Sequence, residues 1–286
     1  MRLVYTLLWW LLLPVLPLRL WWRGRREPGY RANVGERFGF YRGAAHATGA
    51  LWIHAVSLGE TRAIAPLIER LQREAPARPI LLTHMTATGR EAGRTLFGDR
   101  VMQAWLPYDV PFAVRRFLEH FRPRAGLLVE TELWPNLTAA VARTGVPLLL
   151  INARLSERSA QGYRRVALLS RPLLRAIAGI AAQSEADAGR LRDLGAQHVV
   201  VTGNLKFDVA VTPAQRHQGA ALRIRDADEM FAVAARLLGD RGERERMREN
   251  AQTFIAAHRG AIDRLWAWLE PRLAGADAKA NRSTAD

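Results

Sequence analysis

LWIHAVSLGE, residues Leu51–Glu60, opens with five mostly apolar residues, Leu51 to Ala55, that read as a short buried strand. Ser57, Leu58 and Gly59 make a tight turn. From Thr61 the apolar residues Ile64, Leu67, Ile68 and Leu71 recur at the spacing of one helix face, predicting a helix over Thr61–Glu74. A strand, a turn of small residues and a helix form the opening unit of a doubly wound α/β domain, in which ligands bind where strands end and helices begin. Glu60 sits in that first turn. A carboxylate there is expected to be held ionised by the helix dipole and free N–H groups, and an ionised carboxylate in a cleft can accept a proton. Taken alone, the stretch favours the plainer role, a residue that stabilises the helix start.

Outward from this unit, short apolar runs alternate with helical patterns as far as Thr202. The predicted strands are Leu51–Ala55, Ile80–Thr83, Val101–Leu106, Gly126–Val129, Pro147–Ile151, Gly179–Ala182 and His198–Thr202. Predicted helices lie near Arg90–Phe97, Pro111–His120, Trp134–Arg143, Ser156–Ile177 and Glu185–Leu194. Such alternation predicts a parallel sheet covered on both faces. No GxGxxG follows the first strand, and there is no P-loop and no HExxH, so neither a dinucleotide fingerprint nor a zincin motif is present. Polar groups cluster at the predicted strand ends: Thr83, His84, Thr86 and Thr88; Glu130, Thr131 and Glu132; Asn152, Arg154 and Ser156; Gly203, Asn204 and Lys206. In a parallel sheet all these ends share one edge and can converge on one cleft. Glu130 and Glu132 read either as paired carboxylates or as caps of the helix that starts near Pro135.

Before this domain, Leu3 to Leu18 carries no charge; with Arg19 as a snorkelling residue and Leu20–Trp22 the run is about 30 Å long as a helix, enough for a bilayer core. Trp9, Trp10, Trp21 and Trp22 suit a lipid–water interface. From Arg19 to Arg42 seven arginines face only Glu27 and Glu36, which places this flank on the cytoplasmic side, near anionic lipid. A cleaved signal peptide is disfavoured because no small-x-small site follows. Residues 1–25 are therefore expected to be a membrane-anchor helix on the cytoplasmic side of the cell inner membrane, with Pro14 and Pro17 leaving spanning and in-plane arrangements open.

The 286 residues are 49% hydrophobic, enough for one large or two ordinary domains. The absence of cysteine excludes disulfides, thiolate metal sites and cysteine nucleophiles. A net charge of +15, almost all from arginine, suggests an anionic partner: nucleic acid, acidic lipid or a phosphorylated substrate. No nucleic-acid recognition motif accompanies the charge, so nucleic acid is not the expected partner. After Asp208 no strand run appears. Residues 226–273 read as helices, with Met230, Phe231, Val233 and Leu237 in need of cover from the first domain or another chain, and 274–286 as a small, polar, disordered tail.

HAVSLGE (His54–Glu60), LPYDVP (Leu106–Pro111), ETELWPN (Glu130–Asn136), NARLSERSAQGY (Asn152–Tyr163) and GNLKFD (Gly203–Asp208), with YRANVGERFGFYR (Tyr30–Arg42) behind the apolar anchor, resemble the bacterial Kdo transferases. That family moves 3-deoxy-D-manno-octulosonic acid (Kdo) from CMP-Kdo to a lipid A precursor, lipid IVA. The resemblance covers about Met1–Asp208, and several motifs in order are far more specific than one. It implies the Rossmann-like N-terminal half of a metal-independent, cofactor-free GT-B glycosyltransferase, with an acceptor-binding domain over 26–208. It also implies Glu60 as general base and Glu130 and Lys206 as transition-state stabilisers. The chain departs from the pattern after Gln218: residues 209–225 read as the junction of an internal deletion of on the order of a hundred residues, and 226–273 as a helical remnant of the CMP-binding half. On this reading the shortened chain transfers Kdo poorly, the alternative being a catalytically dead, membrane-anchored remnant that binds the lipid acceptor.

Overall fold

The computed structural model of the chain describes residues 1–42, 49–207, 226–258 and 260–283; the expected junction at 209–225 lies outside them. Two helices come first, α1 (Arg2–Leu12) and α2 (Val15–Arg23). The single anchor helix expected over 1–25 is thus corrected to a pair that meets at 60°. Pro14 sits at the break, where it has no N–H to donate and its ring crowds the preceding turn. Among the described residues no single helix is long and apolar enough to cross a membrane; the bent pair qualifies by length and composition alone.

Seven parallel strands form one sheet: β1 (Leu51–His54), β2 (Ile80–His84), β3 (Met102–Trp105), β4 (Ala125–Val129), β5 (Leu148–Ala153), β6 (Gly179–Ala182) and β7 (Val199–Val201). Their spatial order is β3-β2-β1-β4-β5-β6-β7. β1 is the hinge of this order, pairing β2 on one side (Leu51 with Ile80) and β4 on the other (Leu51 with Ala125). Between the strands run α3 (Leu58–Ala63), α4 (Ala65–Glu74), α5 (Ala87–Phe97), α6 (Pro111–Phe121), α7 (Pro135–Thr144), α8 (Glu157–Arg165), α9 (Ala167–Ala176) and α10 (Glu185–Asp193). After them come α11 (Ala227–Gly239), α12 (Arg241–His258) and α13 (Ala261–Ser283).

Both sheet faces are covered, which is why the central strands are continuous apolar runs. Trp52 on β1 meets Phe117 of α6 edge-on, ring centres 5.1 Å apart, in the core that also holds Leu137 and Val141 of α7. Its neighbours Leu51 and Ile53 point to the opposite face, against Leu67 and Leu71 of α4 and Leu265 and Leu269 of α13. Burying side chains of this size contributes about 1.5–3 kcal/mol each, so α13 is an integral wall of the domain. The disordered tail expected over 274–286 is corrected as far as Ser283, because α13 continues to that residue. Its alanine-rich sequence favours helix, Ala276 is buried in the core and Asp277 pairs with Arg78. Of the α11 side chains expected to need cover, Phe231 and Met230 lack it, at 78% and 51% exposed, while Val233 and Leu237 are half-buried.

Two predicted helices are each divided. The helix predicted from Thr61 starts earlier, at Leu58, and breaks at Ile64, because Pro66 opens α4 without an N–H to carry the ladder back. The run Ser156–Ile177 splits into α8 and α9 where Val166 leaves the helical region.

The segment Tyr30–Arg42 lies against the ends of β2 and β3. Arg37 is buried with its guanidinium 3.9 Å from the Trp105 ring centre and donates to the Met85 carbonyl at 3.2 Å. Glu36 accepts from Arg90 at 2.9 Å and from the Trp105 amide at 2.8 Å. These polar bonds fix the route from the N-terminal helices to the upper edge of the sheet.

Candidate active site

The order of the strands reverses direction at β1–β4, and a crevice outside the strand ends at such a switch point is where doubly wound sheets place ligands. Glu60 follows β1 and Glu130 follows β4, so the two residues flank that point.

Ser57 caps α3, its hydroxyl accepting from the Glu60 amide at 3.4 Å. In return the Glu60 carboxylate reaches back: Oε1 accepts the Ser57 hydroxyl at 3.0 Å and Oε2 the Val56 amide at 2.7 Å. This is a close variant of the Ser-x-x-Glu capping box. The turn is stitched to its neighbour, since the Val56 carbonyl accepts from the Thr86 hydroxyl at 2.8 Å. Gly89 lets α5 come close, because a Cβ there would stand 3.1 Å from the Val56 oxygen. Glu60 is buried, and burial pushes its carboxyl above the usual carboxylate range. The bonds from Val56 and Ser57 offset that only in part, while Glu130 adds to it and Lys206 opposes it. The helix start therefore does not lower the Glu60 carboxyl: α3 is only six residues long, and desolvation outweighs the hydrogen bonds from Val56 and Ser57.

Glu130 ends β4 in the left-handed region, φ +59°, a conformation that non-glycine residues hold only where the surroundings over-determine it. Its Oε1 accepts from Lys206 Nζ at 3.0 Å. Lys206 comes from the far side of the sheet, on a 3-10 turn (Leu205–Phe207) after β7. Of 42 lysines and arginines only Lys206 and Lys279 are lysines.

Glu132 belongs to the same cluster. Burial first, and then the charges of Glu60 and Glu130, push its carboxyl up to about 7. Tyr163 of α8 feels its charge. The capping alternative for Glu130 and Glu132 fails, because the N-terminus of α7 is already served by Asp109, which accepts from the Asn136 amide at 2.9 Å and the Leu137 amide at 2.7 Å. Three carboxyl groups and one ammonium thus influence one another at this edge; the family resemblance picks out Glu60, Glu130 and Lys206, whereas the residues alone leave Glu130 and Glu132 undecided.

Several other strand-end residues are structural. Thr83 is buried and receives the Trp52 indole N–H at 2.8 Å. His84 is buried, lowered to about 4 chiefly by burial and so neutral, with Nδ1 3.0 Å from the Ala55 carbonyl. Thr86, Ser156 and Ser184 cap helices. Asn136 donates to the Asp109 carbonyl at 2.7 Å and accepts from Thr6 of α1 at 3.0 Å, tying the N-terminal helix to the domain. Among the described residues no group of three His, Asp or Glu side chains is placed to hold a metal ion.

A family model described as 3-deoxy-D-manno-octulosonic-acid transferase (kdotransferase) matches residues 32–209. The 3-deoxy-D-manno-octulosonic acid transferase of Bordetella pertussis is 43% identical over 282 residues, which cover 94% of this chain and 63% of that protein. The protein of the same name from Haemophilus influenzae is 37% identical over 187 residues, 64% of this chain and 44% of that protein. The chain thus spans less than two thirds of the length of these curated relatives. Among solved structures, UDP-GlcNAc 2-epimerase from Neisseria meningitidis, bound to UDP-GlcNAc, is similar at TM-score 0.40 and 16% identity over 57% of this chain and 47% of that one.

Proposed function

The chain belongs to the Kdo transferase family of glycosyltransferases, and from that premise we propose that it serves transfer of Kdo from CMP-Kdo to a lipid A precursor, lipid IVA, at the sheet edge between β1 and β4. The observation that carries this reading is that buried Glu60 lies within the electrostatic reach of the Glu130–Lys206 pair at the switch point of the sheet.

In the proposed step the acceptor hydroxyl oxygen bonds to the anomeric carbon of Kdo while its proton passes to Glu60. The bond from that carbon to the CMP phosphate oxygen breaks, and its electron pair leaves with the phosphate. A sugar hydroxyl is a poor nucleophile, so a base placed to take its proton accelerates attack. The upward-shifted Glu60 carboxyl suits that task better than an ordinary one, since its affinity for the proton is closer to working pH. Lys206 would offset the negative charge of the departing phosphate or the Kdo carboxylate. Glu130 would face positive charge developing at the anomeric carbon, as carboxylates do in glycoside chemistry.

The proposed setting is the cytoplasmic face of the inner membrane, with α1 and α2 lying in the lipid interface. α1 is docked on the domain through Thr6–Asn136 and through Trp9 against Tyr108 and Trp10 against Phe112, ring centres 5.7 and 5.6 Å apart. Its other side presents Leu7 and Leu11 to the exterior. At the end of the pair, Arg25 and Arg31 lie over Trp21 at 4.6 and 5.6 Å, a basic and aromatic rim suited to anionic headgroups. A helix held along the domain surface by such contacts favours the in-plane arrangement over a crossing.

Transfer of labelled Kdo from CMP-Kdo to the acceptor by the purified chain in detergent, beside calorimetry with each substrate, tests the reading. Turnover supports it. Acceptor binding without turnover leaves an acceptor-binding chain, and binding of neither substrate overturns it.

A further inference from the structure

Lys206 follows β7, three strands away from β4, yet its ammonium touches Glu130 at the end of β4. Something must bring the turn Gly203–Phe207 back over β6 and β5. The contacts identify Asn152. β5 and β6 lose step at this place: Leu150 pairs with Ile180 and Ala153 with Ala182, so β5 holds one residue more than its neighbour. Such a bulge re-aims the side chain it carries. Asn152 lies inside it at φ +51°, fully buried, and asparagine is among the few residues that adopt this conformation readily. Its carbonyl is pinned by Gln183 Nε2 at 3.0 Å, and its Oδ1 accepts from the Leu205 amide at 3.1 Å. Leu205 is itself buried, so this bond satisfies an amide that has left water. The next residue is Lys206. From the other side, Ala261 of α13 packs on Gly203, and Arg264 Nε donates to the Thr202 carbonyl at 2.8 Å.

We propose that Asn152 is the positioning residue of this site, a clamp whose amide oxygen holds the Leu205 N–H and thereby sets the Lys206 ammonium beside Glu130. The bulge supplies its aim, the left-handed backbone selects asparagine, and α13 closes the turn against it. Without the clamp the turn keeps its α13 contacts but loses its bond to β5, and Lys206, whose side chain is half exposed, samples positions away from Glu130. The consequence for catalysis rests on the transferase reading; the placement of Lys206 does not.

The lysine count makes a direct test possible. A zero-length carbodiimide crosslink joins an amine to a carboxylate only in contact, and only Lys206 and Lys279 can supply a side-chain amine. In the wild-type chain a Lys206–Glu130 crosslink is expected, read by mass spectrometry against products of Lys279 as an internal standard. Asn152→Gly accepts the positive φ but removes the clamp, and should lower that crosslink by about fivefold or more, the population shift expected from one lost hydrogen bond. Asn152→Asp keeps an oxygen for the Leu205 amide and should restore it. A folded Asn152→Gly chain that crosslinks as well as wild type overturns the proposal. Should the glycine variant fail to fold, hydrogen exchange in the wild-type chain decides: a Leu205 amide exchanging at the rate of an unfolded chain would equally overturn it. Where transfer is measurable, Asn152→Gly should lower kcat with acceptor KM within about twofold, since Lys206 is assigned to the transition state, and Asn152→Asp should recover it. Lost crosslinking with unchanged kcat would leave the clamp standing and remove Lys206 from the chemistry.

Discussion

Replacing Glu60 in two ways separates its structural bonds from its proposed chemistry. Glu60→Ala deletes the acceptor of the Val56 amide at 2.7 Å and of the Ser57 hydroxyl at 3.0 Å. An amide left unpaired in this half-buried turn costs about 1–3 kcal/mol at most, and the lost hydroxyl bond about 1 more. Glu60→Gln keeps one side-chain oxygen for the Val56 amide and removes the charge. Because folding raises the Glu60 pKa above its unfolded value, the stabilisation it gives is complete below the unfolded pKa and is lost as pH rises through the folded one. Above that window the wild type carries an ionised carboxylate that burial disfavours, so Glu60→Gln should lie within about 1 kcal/mol of wild type at pH 8. Both variants should lose turnover by about 10²–10⁴, the usual worth of a general base, with acceptor KM little changed. Thermal melts at pH 8 and initial rates of Kdo transfer, measured on enzyme of full family length, read the two effects separately. A Glu60→Gln variant that transfers Kdo near the wild-type rate would falsify the base assignment and leave Glu60 as a capping residue.

Burial pushes the Asp109 carboxyl up to about 6, so its stabilising contribution is full below about pH 4 and lost as pH rises through 6. Denaturant titrations should show the stability advantage of wild type over Asp109→Asn widening by about 2 kcal/mol from pH 7 to pH 4, and a constant gap would contradict the assignment. A Cβ at position 89 would meet Thr86 Oγ1 at 2.9 Å and the Val56–Ser57 backbone at 3.1 Å. Gly89→Ala should therefore destabilise the chain by about 1–3 kcal/mol and lower turnover by displacing the Glu60 turn; an unchanged melting temperature argues against so tight a fit. Leu7 and Leu11 are 62% and 74% exposed. Replacing both by Glu should weaken sedimentation with anionic vesicles at least about tenfold, and undiminished binding would exclude this face as the lipid contact.

The sheet was legible because it is parallel and doubly covered. Each strand is an apolar run of a few residues between turn signals, and every predicted strand lies within two residues of an observed one. Helix continuity was less legible, since it turned on single residues: Pro14 and Pro66 interrupt runs whose hydrophobic spacing continues through them. The tail was misread because its residues are small and polar, a composition shared by disordered segments and by alanine-rich helices. What decides between the two is the docking of Leu269, Leu273 and Ala276 on the sheet, which no local pattern contains.

The site divides along the same line. Glu60, Glu130 and Lys206 are picked out by the family resemblance, and their places in the turns after the first, fourth and seventh predicted strands put all three on one edge. It does not place them together, because β1, β4 and β7 do not all adjoin: β5 and β6 intervene before Lys206. Bringing Lys206 across depends on a bulge, a left-handed Asn152 and a helix more than fifty residues further along the chain. Glu132 was undecided for a related reason. Two carboxylates before a helix look like caps, and only the structure supplies the rival that takes that duty, Asp109, from the loop ahead of α6. Freed from capping, Glu132 sits among charges of its own sign and is pushed up to about 7. Backbone groups around the cluster are each served by a side chain: Asp109 takes the helix start, Asn152 the Leu205 amide and Glu60 itself the Val56 amide, while Glu130 and Lys206 pair beside it at the switch point.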